Sequence, residues 1–177
     1  MNRQQLEHII RASGMIADVD DLVVIGSQAI LGQFPDGPAE LLVSNTADVF
    51  PRDHPELSDL IDGSIGEGSP FDHSFGYYAH GVDETIAILP EGWRDRLILV
   101  SGENTKFIRG WCLEVHDLAI SKYVAGREKD RDFTRALANH GMISCDVLRE
   151  RLAATPVPDA LRARIAARIE ADFLPRL

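Results

Sequence analysis

Cysteine is scarce: Cys112 and Cys145 are the two in 177 residues, with no CxxC spacing. A disulfide framework and a zinc-ribbon pattern are thereby excluded. A buried structural thiol is the expected role of each, with a catalytic thiol open only where the fold supplies partners. Positive charge is also short, with 18 Lys and Arg against 28 Asp and Glu, a net charge of -10 and a pI near 5.0. Such a surface is not built to neutralise nucleic-acid phosphates or anionic lipid, although a local basic pocket is compatible with it. No apolar run approaches the roughly 20 residues of a membrane helix. The opening MNRQQLEHIIRASG lacks the apolar core of a signal peptide, so a soluble, cytoplasmic protein is expected. Internal repeats and low-complexity tracts are missing too.

What is present suits one α/β-type domain over residues 1–177, with a β-rich part over 1–112 and a helical part over 113–177. Leu6, Ile9 and Ile10 recur at helical spacing before Gly14, which predicts a short amphipathic helix over 3–13. DLVVIGSQAI reads as a buried strand, a tight turn at Gly26–Ser27 and a helix ending near Gly32. FPDGP is a loop, and ELLVSNTADVFP predicts a second strand pairing beside the first and stopping at Pro51. PELSDLIDGSIGEG has helical spacing before a glycine-rich break. GYYAHGVDETIAIL predicts two short strands or one bulged strand, and RLILV a further strand. Residues 116–139 predict one long helix or two meeting near Gly126, and a last helix starts after Pro158.

Two features suggest chemistry. A Gly-Ser pair at the exit of a buried strand lets a ligand approach the backbone, and a following helix aims free amides at an anion. The same pair also serves many strand-to-helix turns purely as geometry. Asp48 stands at the end of the next strand, where its carboxylate can reach the mouth of that turn. A Mg²⁺ ion bridging the two would hold triphosphate oxygens, and phosphoryl or nucleotidyl transfer sites use at least two carboxylates for this. Period-2 geometry puts residue 50 on the face of Asp48, and residue 50 is phenylalanine. Asp53 or Glu56 from the following loop, or Glu84 from the later strand, are the candidate replacements.

In KYVAGREKDRD, Lys122 and Lys129 lie seven residues apart. On one helix they form a cationic wall for polyphosphate, or else part of a hydrated charged face. His54, His73, His80 and His116 match no helical metal-binding spacing, and Asp117 beside His116 fits a helix start. Trp93 and Trp111 read as partly buried packing residues.

IGSQAILG, TADVFP, ILPEGWRDRLILV and LEVHDLAISKYVAGREKDRDF together resemble bacterial nucleotidyltransferase-fold proteins related to abortive-infection toxins, in a branch sharing GWRDRL and HDLAxSKxxAGREKD stretches. The resemblance spans roughly residues 20–140. It implies a small mixed sheet with flanking helices, nucleoside triphosphate phosphates at Gly26 and Ser27, metal at Asp48, nucleotide contact by Lys122 and a supporting acid at Asp130. Phe50 departs from the family's acid pair. Two functions follow as expectations: Mg²⁺-dependent transfer of a nucleotidyl group to a protein, RNA or small acceptor, or a degenerate domain binding a nucleotide or partner within a toxin–antitoxin or defence pair. A purely structural or assembly role is the third alternative.

Overall fold

The computed structural model describes residues 1–174. They form two compact units, one of Met1–Ile86 with Leu97–Glu114, the other of Ala87–Arg96 with the described residues from Val115 onward. Among them no helix is long and apolar enough to cross a membrane.

The first unit is a five-stranded mixed sheet with helices. Its strands are β1 (Asp21–Val24), β2 (Thr46–Pro51), β3 (Tyr78–Gly81), β4 (Ile98–Val100) and β5 (Arg109–Cys112), in the order β3-β2-β1-β5-β4. β1 runs antiparallel to β2 and parallel to β5, while β2 runs parallel to β3. The second strand thus pairs beside the first, as its composition suggests. It is shorter than expected, because residues 39–41 form a 3₁₀ turn instead. β5, RGWC, carries too little periodic pattern to stand out in sequence. It is a strand because β1 and β4 flank it on both sides.

α1 (Arg3–Ala17) starts with a reciprocal cap: Asn2 accepts from the Gln5 N–H at 2.9 Å while the Gln5 side chain accepts from the Asn2 N–H at 2.8 Å. The helix runs through Gly14 rather than stopping there. A Cβ at that position would lie 2.7 Å from Ile108 Cγ2, so the glycine serves close packing. Leu6, Ile9 and Ile10 have no exposed surface, each contributing about 1.5–3 kcal/mol of apolar burial.

The helix expected after Gly26–Ser27 is reduced to a 3₁₀ turn (Ser27–Ala29) and one α-turn, α2 (Ile30–Gln33). Two such short pieces carry little macrodipole, so any anion there would meet individual amides. α3 (Ser58–Ile65) falls in the expected helical stretch, and the glycine-rich break holds a further short helix, α4 (Pro70–Phe75), capped by Ser69. After β3 the chain turns as a 3₁₀ segment over Glu84–Ile86. Glu84 therefore stands in an exposed turn and not on a strand, which corrects the sequence reading.

The second unit is helical, with α5 (Val115–Ala125), α6 (Glu128–Asn139), α7 (Cys145–Ala153) and α8 (Asp159–Asp172). α5 and α6 are separated at Gly126, whose φ of +64° favours glycine. α8 starts directly after Pro158. Asp172 ties it to its neighbours, accepting from Tyr123 Oη at 2.9 Å and Thr134 Oγ1 at 3.2 Å. Burial pushes the Tyr123 phenol well above its ordinary range, with the Asp172 carboxylate adding to the effect.

Candidate functional site

β1 delivers the chain to Gly26 beside β2, and the Ile25 N–H donates to the Asp48 carbonyl at 3.0 Å. Gly26 has an extended backbone, φ -78° and ψ -171°, open to any residue. Space is what demands glycine: a Cβ there would sit 2.0 Å from Asp48 Oδ2. The turn and the carboxylate that the sequence reading placed together are in direct apposition. Behind them, buried Gln28 puts Nε2 3.5 Å from both Ser27 Oγ and the Leu41 carbonyl, linking the turn to the loop before β2.

On its other side Asp48 meets His80. The two residues are register partners across the parallel β2–β3 pair, and His80 Nδ1 lies 3.0 Å from Asp48 Oδ1. In sequence His80 stands only among four histidines without metal-binding spacing, and its neighbours in the chain form no motif. The partner is 32 residues away and only strand pairing brings it in.

Phe50 occupies the position of the missing acid and has no exposed surface; its register partner Val23 is equally buried. Asp53, Glu56 and Glu84 are exposed, and His54 Nδ1 pairs with Glu56 at 3.1 Å. Among the described residues, no group of three or more His, Cys, Asp or Glu is arranged to hold a metal. Mg²⁺ favours hard oxygen ligands in octahedral geometry. One partly exposed carboxylate already bonded to an imidazole, beside a buried phenyl ring, does not fit a two-carboxylate Mg²⁺ centre.

The remaining predicted residues lie in the second unit. Lys122 Nζ is 3.8 Å from Asp130 Oδ1, so these two are neighbours. Asp130, 2% exposed, also accepts from Arg127: Nε at 2.7 Å, Nη2 at 3.2 Å and the backbone N–H at 3.2 Å. Burial alone would raise its pKa, but the Arg127 hydrogen bonds with the Lys122 and Arg127 charges outweigh that and hold it below the ordinary carboxylate range. Lys129 is exposed on α6 while Lys122 belongs to α5. The break at Gly126 thus removes the single helix face that their spacing suggested.

The stretches GWRDRL and HDLA meet in a buried ion cluster. Asp117, in the first turn of α5, has no exposed side-chain surface and accepts from Arg96 Nε at 2.8 Å and Nη2 at 3.0 Å. Arg151 Nε of α7 stands 3.3 Å from Asp117 Oδ1. This arrangement explains both stretches as packing elements of the helical unit, and the bidentate fork is the geometry arginine favours. His116 Nε2 accepts from the Ser144 N–H at 2.9 Å.

Cys112 is fully buried, and desolvation pushes its thiol up to about 12, so it stays protonated and unreactive. Burial also raises the Cys145 thiol. Trp111 is partly buried, donating from Nε1 to Asp21 Oδ1 at 2.7 Å beneath the Arg52 guanidinium, whose Cζ is 4.7 Å from the ring centroid. Trp93 is likewise partly buried, with Arg94 Cζ 4.7 Å from its centroid.

Comparison with curated proteins and with solved structures finds no match. Residues 4–173 match the family described as nucleotidyltransferase of unknown function (DUF6036). The match covers nearly the whole chain, and the chain belongs to this nucleotidyltransferase family.

Proposed function

We propose that this chain binds a nucleoside triphosphate at the Gly26–Ser27 turn beside Asp48, as a catalytically reduced member of its family. In this reading it is the nucleotide- or partner-binding component of a toxin–antitoxin or defence pair. The observation that carries the reading is Phe50, fully buried at the place of the second acid, while the one remaining carboxylate is engaged by His80. Family membership and the tight fit of Gly26 against Asp48 support nucleotide binding. The phosphates would be met by amides at the start of the turn, which in a 3₁₀ segment have no partner within the turn.

Retained transfer is the second reading, favoured by the family's description and by the 30% exposure of the Asp48 side chain. It assigns Mg²⁺ to Asp48 with Glu84, and takes a protein, RNA or small molecule as acceptor.

Calorimetric titration with ATP, GTP, CTP and UTP, each with and without Mg²⁺, tests the first reading. Binding that survives chelation is expected, with no acceptor labelled when radiolabelled nucleotides and Mg²⁺ are added to the chain in cell extract. Mg²⁺-dependent labelling that disappears in Asp48→Ala would establish the second reading and end the first.

A further inference from the structure

β2 and β3 are parallel with Asp48 directly opposite His80, so both side chains leave the same face of the sheet. The 3.0 Å contact joins His80 Nδ1 to Asp48 Oδ1. An ionised carboxylate only accepts hydrogen bonds, so Nδ1 must carry the proton. The neutral ring has a single N–H, and Nε2 therefore keeps its lone pair. The His80 side chain is 50% exposed, against 30% for Asp48. Asp48 Oδ2 meanwhile rests in the space a Cβ at Gly26 would fill. The carboxylate is wedged between the Gly26 backbone and the imidazole, and the imidazole is the more exposed of the pair. A carboxylate in this position orients a histidine and selects its tautomer, as it does for metal-bound and catalytic imidazoles.

We infer that His80 is the ligand-facing group of the site and Asp48 its positioning residue: the carboxylate holds the ring so that Nε2 accepts a hydrogen bond from a ribose hydroxyl of the bound nucleotide. The ligand half of this inference rests on the nucleotide-binding reading above; the orientation of the ring does not. Ionised phosphates offer acceptors only, so a lone pair on Nε2 has nothing to take from them. Ribose hydroxyls are donors present on all four common nucleoside triphosphates. The division of labour is then simple: amides of the Ser27 turn meet the phosphates, and His80 meets the sugar. Asp48 contributes at one remove, which accounts for a single acid being retained beside a buried Phe50.

Two measurements on the full chain test this, both at pH 8. Long-range ¹H–¹⁵N NMR of the histidine rings should show His80 as the Nδ1–H tautomer, with that preference lost in Asp48→Asn. Calorimetry should show ATP bound about fivefold more tightly than 2′-deoxy-ATP or 3′-deoxy-ATP, the worth of about one net hydrogen bond. His80→Ala should abolish the discrimination while leaving the circular dichroism and Tm nearly unchanged, since the side chain is half exposed. Asp48→Asn should weaken the discrimination in the parent and change nothing further in the His80→Ala background. An Nε2–H tautomer in the parent overturns the orientation. Discrimination that persists in His80→Ala, or losses from the two substitutions that add, overturns the division of labour. Failure of the parent to bind any nucleotide overturns the ligand half together with the nucleotide-binding reading, and is told apart from the other failures by the NMR result.

Discussion

Replacing Phe50 by aspartate restores the acid pair in sequence, but the structure predicts a severe loss of stability before any gain. Phe50 has no exposed surface and pairs with fully buried Val23. Truncating a buried Phe costs about 3–5 kcal/mol through lost transfer energy and the cavity left behind. The new carboxylate adds a charge in an apolar setting, on the same face as Asp48 two residues away. A total of at least about 4 kcal/mol is expected, whereas Phe50→Leu, which keeps most of the volume, should cost about 1–1.5 kcal/mol. For a chain of this size each kcal/mol moves Tm by about 2–4 °C, so Phe50→Asp should melt about 8–16 °C lower and Phe50→Leu about 2–6 °C lower. Mg²⁺ then acts as a reporter. An ion at 100 times its Kd stabilises by about 2.7 kcal/mol, so a restored pair should recover about 5–10 °C on adding Mg²⁺ while the parent recovers nothing. Thermal melts of the three proteins with and without Mg²⁺ decide the matter. If Phe50→Asp melts within 3 °C of the parent in chelator, the packing argument is wrong. If the parent itself gains stability from Mg²⁺ and loses that gain in Asp48→Asn, one acid is sufficient and the case for a reduced site collapses.

Three other outcomes are expected. Asp117→Ala leaves the Arg96 and Arg151 guanidiniums facing each other, and their exposure of 22% and 20% relieves part of the usual penalty for breaking a buried pair, so urea denaturation should show a loss of about 2–4 kcal/mol. Asp130→Asn should cost about 1 kcal/mol, little because Arg127 is 59% exposed. The folded pKa of Asp130 is depressed, so its contribution is present above the ordinary carboxylate value and lost as pH falls through the lower folded value; the parent should therefore show an extra decline in stability below about pH 4 that the variant lacks. Gly26→Ala has an acceptable backbone but forces the Asp48 carboxylate aside, so a loss of about 1–3 kcal/mol and a disturbed His80 ring signal should appear together; an unchanged ring signal would contradict the close fit.

Local pattern carried much of the fold. The apolar run LVVI, the Gly-Ser turn, the break at Gly126 and the start of α8 after Pro158 could each be read within a few residues, because steric limits and periodicity act at that range. The strand TADVFP and the departure at Phe50 were equally readable, since period-2 alternation places residues 48 and 50 on one face. Long-range pairing decided the rest. β5 exists through its two neighbours, and Gly14 stays helical because Ile108 packs against it. Asp48 gains His80 only through the β2–β3 register, and Asp117 gains Arg96 and Arg151 only through helix packing. A side chain's charge and spacing are written in the chain, but its partner is chosen by whichever backbone the fold brings within hydrogen-bond reach, and that choice separates a surface aspartate from an oriented one.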